Sequence, residues 1–284
     1  MSFSTKAIQT TLQPILTPVH SSFPFPLIDV YVAMRLSLIA DWMARGVFDP
    51  PSLVVGVKEK HKSKDRNGKR RAGVLQEVVG IMVVVFGGET FLALCTGSTP
   101  SWLVNPNYAL LFGLAHVIQT RTPLRAFLPS RPSLALELGL AIPDAISRTL
   151  LLTKFSILPL LHPTSPHALP ATPSSLILVP FILAVPFASL IFSTTSFFAP
   201  SPTFTTPLEL RPEGWQYVDS WAPIVIPVLF LALIGPVQGW PWGLKMEEGE
   251  SVVVCMIILS AIFLLRALYN FGEDIWGTKK RKVE

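Results

Sequence analysis

Charge is what this chain has least of. Asp, Glu, Lys and Arg make up 14% of its 284 residues, where a soluble domain carries about 25%. Half of the residues are hydrophobic, so a polytopic membrane protein is expected and a water-soluble globule is not. Cysteine is nearly missing. Cys95 and Cys255 are the two present, which excludes a disulfide-rich scaffold and a cysteine-cluster metal site and leaves room for one bridge at most. No His-Glu-x-x-His, Gly-x-Ser-x-Gly or paired-carboxylate metal motif occurs, and His162 and His167 share a loop without acidic neighbours. No enzyme, metal or cofactor is therefore expected. Met1–Ser22 lacks the basic start, apolar run and small-residue site of a cleavable signal peptide. Proline, by contrast, is abundant at 27 residues, which suits kinked membrane helices and short bounded loops.

The chain is organised around Gly73–Cys95, GVLQEVVGIMVVVFGGETFLALC. As a helix this stretch would extend for about 34 Å, enough to cross a bilayer. Its middle holds Gly87, Gly88 and Glu89. Glycine lets another backbone or an ion approach closely. A carboxylate at that depth needs a partner or a water-filled path. Two readings stay open: the glycines permit tight packing and Glu89 is paired or protonated, or the helix bends and lines a pore.

Six further spans complete an all-α, multi-pass fold of seven transmembrane helices. The first is Leu27–Phe48, with Asp29, Arg35, Asp41 and Arg45 balanced within it, the last two at i,i+4. The third is Tyr108–Gln119, where a lone His116 reads as packed or hydrogen-bonded. The fourth is Ser133–Leu161, the fifth Ser174–Ala199, the sixth Ala222–Gly239 and the seventh Ser251–Tyr269. Pro180 and Pro186 predict a kinked fifth helix, and Pro227 and Pro236 bends in the sixth. Residues 1–26 read as a loose terminus, residues 27–270 as the membrane domain and residues 271–284 as a basic tail.

Charge placement orients the spans. Lys58–Arg71 carries eight Lys or Arg, Arg121, Arg125 and Arg131 follow the third span, Arg211 follows the fifth, and Lys279, Lys280, Arg281 and Lys282 close the tail. The opposite loops hold essentially Lys245, and the N-terminal segment Lys6. Positive charge marks the cytoplasmic side and meets anionic lipid there, so the N-terminus is expected outside the cytoplasm and the C-terminus inside. No aromatic residues interleave the basic run, so no nucleic-acid partner is expected. Trp102 stands where an interfacial anchor belongs.

The fourth span is the most polar. Glu137, Asp144 and Arg148 fall within about 40° of one another on one helix stripe, Pro143 is expected to bend the helix, and Lys154 lies on another face. An internal Asp144–Arg148 pair is one reading; a hydrated path or a lipid-headgroup site is the other. The order also divides into two inverted three-helix halves plus a seventh helix, with bent middle helices followed by loops holding Pro100 and Trp102, and Pro207 and Trp215.

Phe86-Gly87-Gly88 with Gly97, Pro100 and Trp102 resembles the glycine-rich second helix and following turn of the trimeric intracellular cation (TRIC) channels. Thr206-Pro207-Leu208-Glu209-Leu210, with Trp215 and Asp219-Ser220-Trp221, is similar to fungal-type members. The resemblance covers about residues 27–269. It implies a homotrimer with one pore in each subunit, conducting potassium across endoplasmic or sarcoplasmic reticulum as a counter-current to calcium release. This chain departs from the family pattern in two places. Glu89 stands where the family has a third glycine, and Ala184-Val185-Pro186-Phe187-Ala188 replaces the glycine triplet of the fifth span. The basic pair that binds an inositol-lipid headgroup in animal members is not intact, with Arg148 and Lys154 as the nearest candidates.

The expected function is a monovalent cation channel. Gly87, Gly88, Glu89 and Asp144 would form the cation path, Arg148 and Lys154 would be lipid or gating residues, and membrane lipid would be a partner. A proton- or ion-coupled secondary transporter is the alternative, and a non-conducting scaffold a further one. Lys280 and Lys282 fit a Lys-x-Lys-x-x retrieval signal, which points to the endoplasmic reticulum or nuclear envelope with a lumenal N-terminus and cytoplasmic C-terminus; the same run also looks like a nuclear localisation sequence.

Overall fold

Each of the seven apolar stretches contains a helix, and the computed structural model is mostly helical. It describes residues 13–21, 23–45, 47, 72–164, 168–191, 198 and 218–271. The basic run Lys58–Arg71, the segment holding Thr206–Trp215 and the tail with Lys280 and Lys282 lie outside these residues. The helices are α1 Leu27–Ala44, α2 Val74–Thr96, α3 Ser101–Val104, α4 Asn107–Arg121, α5 Leu134–Leu152, α6 Leu158–Leu161, α7 Pro173–Ala184, α8 Val218–Ile234 and α9 Glu248–Phe271. By length and composition α2 and α9 are able to cross a membrane, while α7 and α8 are apolar but shorter.

Local chemistry sets the ends. Gly97 closes α2 in the left-handed region (φ 68°), its N–H and that of Ser98 both reaching the Ala93 carbonyl, a stop that glycine makes without steric cost. α7 opens on Thr172, whose hydroxyl and Ser175 form a capping box, with Pro173 at the first helical position. The helix expected to reach Leu161 ends at Leu152 instead. Just beyond it the ladder slips, with Phe155 N donating to the Leu150 carbonyl at 3.0 Å, and the short helix α6 follows with Pro159 in its first turn. α5 does run through Pro143 and α8 through Pro223 and Pro227. α8 stops at Ile234, short of the expected Gly239, because Pro236 has no N–H for the Ala232 carbonyl. Leu244 N donates to Ala232 and Met246 N to Leu233, both at 2.9 Å, so the returning chain satisfies the helix end.

The fold is not strictly all-α. Pro18–His20 (β1) and Phe23–Pro26 (β2) pair antiparallel within the terminus expected to be loose. Phe25 holds them against α4, its ring 5.4 Å from that of Tyr108.

The buried residues form two lobes. One joins α1, α2 and α4 around Ala33, Ala40, Ile81, Phe86 and Phe112. The other joins α5, α6, α7, α8 and α9 around Leu152, Leu176, Ile226, Phe230 and Leu259. A small cluster of Ile28, Ile146, Leu150 and Met256 lies where α1 meets α5 and α9. The lobes also meet where α2 crosses α7. Cys95 is exposed, Cys255 is buried and both are free, so the bridge left open by the sequence is not formed.

Candidate functional site

Gly87 and Gly88 are the residues that let α2 cross α7. A Cβ at Gly88 would stand 2.6 Å from the Ile182 carbonyl oxygen and 2.9 Å from Leu183 Cα, and one at Gly87 would strike the Phe187 side chain at 2.5 Å. Only hydrogen fits at either position. The glycine pair permits tight packing at this crossing. α2 continues through both glycines without interruption, and the break falls in its partner. α7 ends at Ala184, and Pro186–Ile191 form a π-helical turn.

The break has a chemical cause. An α-helix would satisfy the Ile182 carbonyl from the N–H of residue 186, and Pro186 has none. A helix C-terminus carries partial negative charge on such carbonyls. Gly88 therefore faces the negative end of a half-helix, at a carbonyl whose helical donor is missing.

Glu89 does not lie free beside this crossing. It accepts the backbone N–H of Ser101 and, at 3.0 Å, the Ser101 hydroxyl, and so ties α2 to the start of α3. Thr90 and Trp102 make a second tie, with the indole N–H donating to Thr90 Oγ1 at 3.0 Å.

Asp144 belongs to a separate cluster between the lobes. Arg35 on α1 reaches Glu137 at 2.9 Å and Asp144 at 3.2 Å on α5, and the Tyr31 hydroxyl donates to Asp144 at 2.6 Å. The shared stripe of Glu137 and Asp144 is realised, but the expected Asp144–Arg148 pair is not. Arg148 turns to Asp219 on α8 at 3.1 Å, and Arg266 on α9 meets the same carboxylate at 3.2 Å. Lys154 is exposed in the turn beyond α5 and makes no ion pair among the described residues. Arg148 and Lys154 are not brought together as a headgroup-binding pair.

Other charges are also paired. Asp41 meets Arg45, as expected, and also Arg125 at 3.4 Å. His116 is packed as expected, with Ser37 Oγ 3.0 Å from Nδ1 and Glu77 3.5 Å from Nε2, while Arg121 holds Glu77 at 2.7 Å. His162 does have acidic company, contrary to the loop reading: Glu248 at the start of α9 lies 2.6 Å from its Nε2. Sequence spacing misses these long-range partners. A weak signal exists for Arg35, since Tyr31 one turn earlier puts two polar groups on one helix face.

The class these features define is a helical bundle with two helices long and apolar enough to cross a membrane, with buried charges paired between helices and a crossing of α2 and α7 built on glycine. Compared with protein-family models, curated proteins and solved structures, the chain matches none.

Proposed function

We propose that the protein is a seven-span cation channel, built from two inverted three-helix halves and a closing helix, that passes potassium through each subunit of a homotrimer. The observation that carries this reading is the Ile182 carbonyl beside Gly88, left without its helical donor by Pro186. Half-helix carboxyl ends and unwound carbonyls are how membrane helices coordinate small cations at the level of the bilayer midplane. The halves support it too. α1 meets α5 through Arg35, and α2 meets α7 through Gly88, so first meets fourth span and second meets fifth. Contact between helices of equal rank at these two crossings is compatible with a two-fold axis between inverted halves. The resemblance of Phe86-Gly87-Gly88 and Trp102 to the TRIC channels supplies the permeant ion, the trimer, the counter-current for calcium release and the endoplasmic reticulum or nuclear envelope setting.

The test is potassium flux into liposomes holding the purified chain, with and without a proton gradient. Passive, non-saturating flux is expected. Pro186→Ala, which returns an N–H to the Ile182 carbonyl, is expected to lower it several-fold, and Glu89→Gln to lower it less without loss of assembly. Proton-coupled, saturable flux would replace the channel by a secondary transporter. No flux of any small cation, or full flux in Pro186→Ala, would reject the carbonyl path.

A further inference from the structure

Between β2, α1 and α4 lies an apolar groove of about 530 Å³. Leu110, Leu114 and Ile118 form one stripe of its wall at i,i+4,i+8, and Met34 of α1 stands across from them. All four side chains are substantially exposed. Phe23 and Phe25 of the hairpin close one end. At the other end stands Gln119, which is only 5% exposed, and its amide oxygen accepts no hydrogen bond among the described residues. A buried amide oxygen without a donor is unfavourable, because it has given up water and gained no partner. A ligand that donates one hydrogen bond would remove that cost.

We propose that this groove binds a sterol, its ring system against the Leu110–Leu114–Ile118 stripe and its hydroxyl donating to Gln119. Three observations select that occupant. The orphaned atom is an acceptor, so it calls for a donor; a sterol carries a hydroxyl directly on its ring system, whereas the phospholipid oxygens next to the acyl chains only accept and its donors sit farther out in the headgroup. Asn107 and Gln119, both in the groove wall, are separated by about 18 Å of helix, the span of an elongated rigid body with a single polar end. Gln119 lies two residues from the end of α4, at the level where a bilayer lipid carries its polar group. The proposal does not depend on whether ions pass through the protein.

The test uses the full chain in liposomes with a photoreactive sterol that keeps its hydroxyl. Labelling is expected on peptides of α1 and α4, displaced by unlabelled sterol. The sterol methyl ether, which cannot donate, is expected to compete roughly tenfold less well, and Gln119→Leu to abolish that discrimination. Leu114→Trp fills the groove at a position that is 57% exposed, so it is expected to retain the fold, checked by melting without sterol, and to lose the label. Four outcomes would overturn the proposal: labelling spread over all helices, equal competition by the ether, equal labelling of the same peptides by a photoreactive acyl phospholipid, or cross-links between two copies of the chain through α4.

Discussion

Gly88 and Gly139 are both helical glycines, and they should respond in opposite directions to the same methyl group. Nothing lies within 4 Å of a Cβ built at Gly139, whereas at Gly88 the backbone of Ile182 and Leu183 already occupies the space. Backbone cannot swing away as the end of a side chain can. Gly88→Ala is expected to destabilise by about 1–3 kcal/mol through overpacking. Gly139→Ala is expected to stabilise by about 0.5–1 kcal/mol, because alanine has less chain freedom to lose in a helix. Thermal or denaturant unfolding in detergent measures both. Equal responses would mean that α2 and α7 do not cross at Gly88. The glycine pair stands out in the sequence, but what it faces does not, because Ile182 and Leu183 reach Gly88 only through folding.

Between elements, Arg35 is the tie with the largest expected consequence. It holds two carboxylates of α5 from α1, and all three side chains are largely buried. Arg35→Met leaves Glu137 and Asp144 facing each other without a cation, and breaking such a buried pair costs about 3–5 kcal/mol. Adding Glu137→Gln and Asp144→Asn to Arg35→Met removes the stranded charge and should restore most of the loss; a triple variant as unstable as the single one would refute the charge argument. Helix periodicity displays the Glu137–Asp144 stripe, since seven residues make nearly two turns. It does not display the partner, because Arg35 has no carboxylate three or four residues away and the ion pair joins the two lobes. Pro236 likewise marks where α8 stops, yet only the structure shows Leu244 and Met246 returning to the carbonyls of α8. The β1–β2 hairpin is missed for a different reason: short strands rich in proline carry no alternation to read.

At the scale of the whole molecule the question is orientation, and the chain carries its own reporter. Cys95 is exposed at the end of α2 and Cys255 is fully buried in α9, so a membrane-impermeant maleimide should modify one position in the native protein. The basic residues of Lys58–Arg71 precede α2, Arg121 ends α4, and Arg125 and Arg131 follow it, so on the positive-inside rule both flanks are expected in the cytoplasm and the α2–α4 turn on the opposite side. In sealed vesicles with the cytoplasmic face outward, Cys95 is expected to resist the reagent until the membrane is permeabilised. Arg131→Cys in a Cys95→Ser background is expected to react at once. Reaction of both in sealed vesicles would mean that α2 and α4 do not carry the chain across and back, and the inverted halves would fall with them. The reverse pattern would keep the spans but invert the molecule. It would also put the tail with Lys280 and Lys282 where a cytoplasmic retrieval receptor cannot reach it.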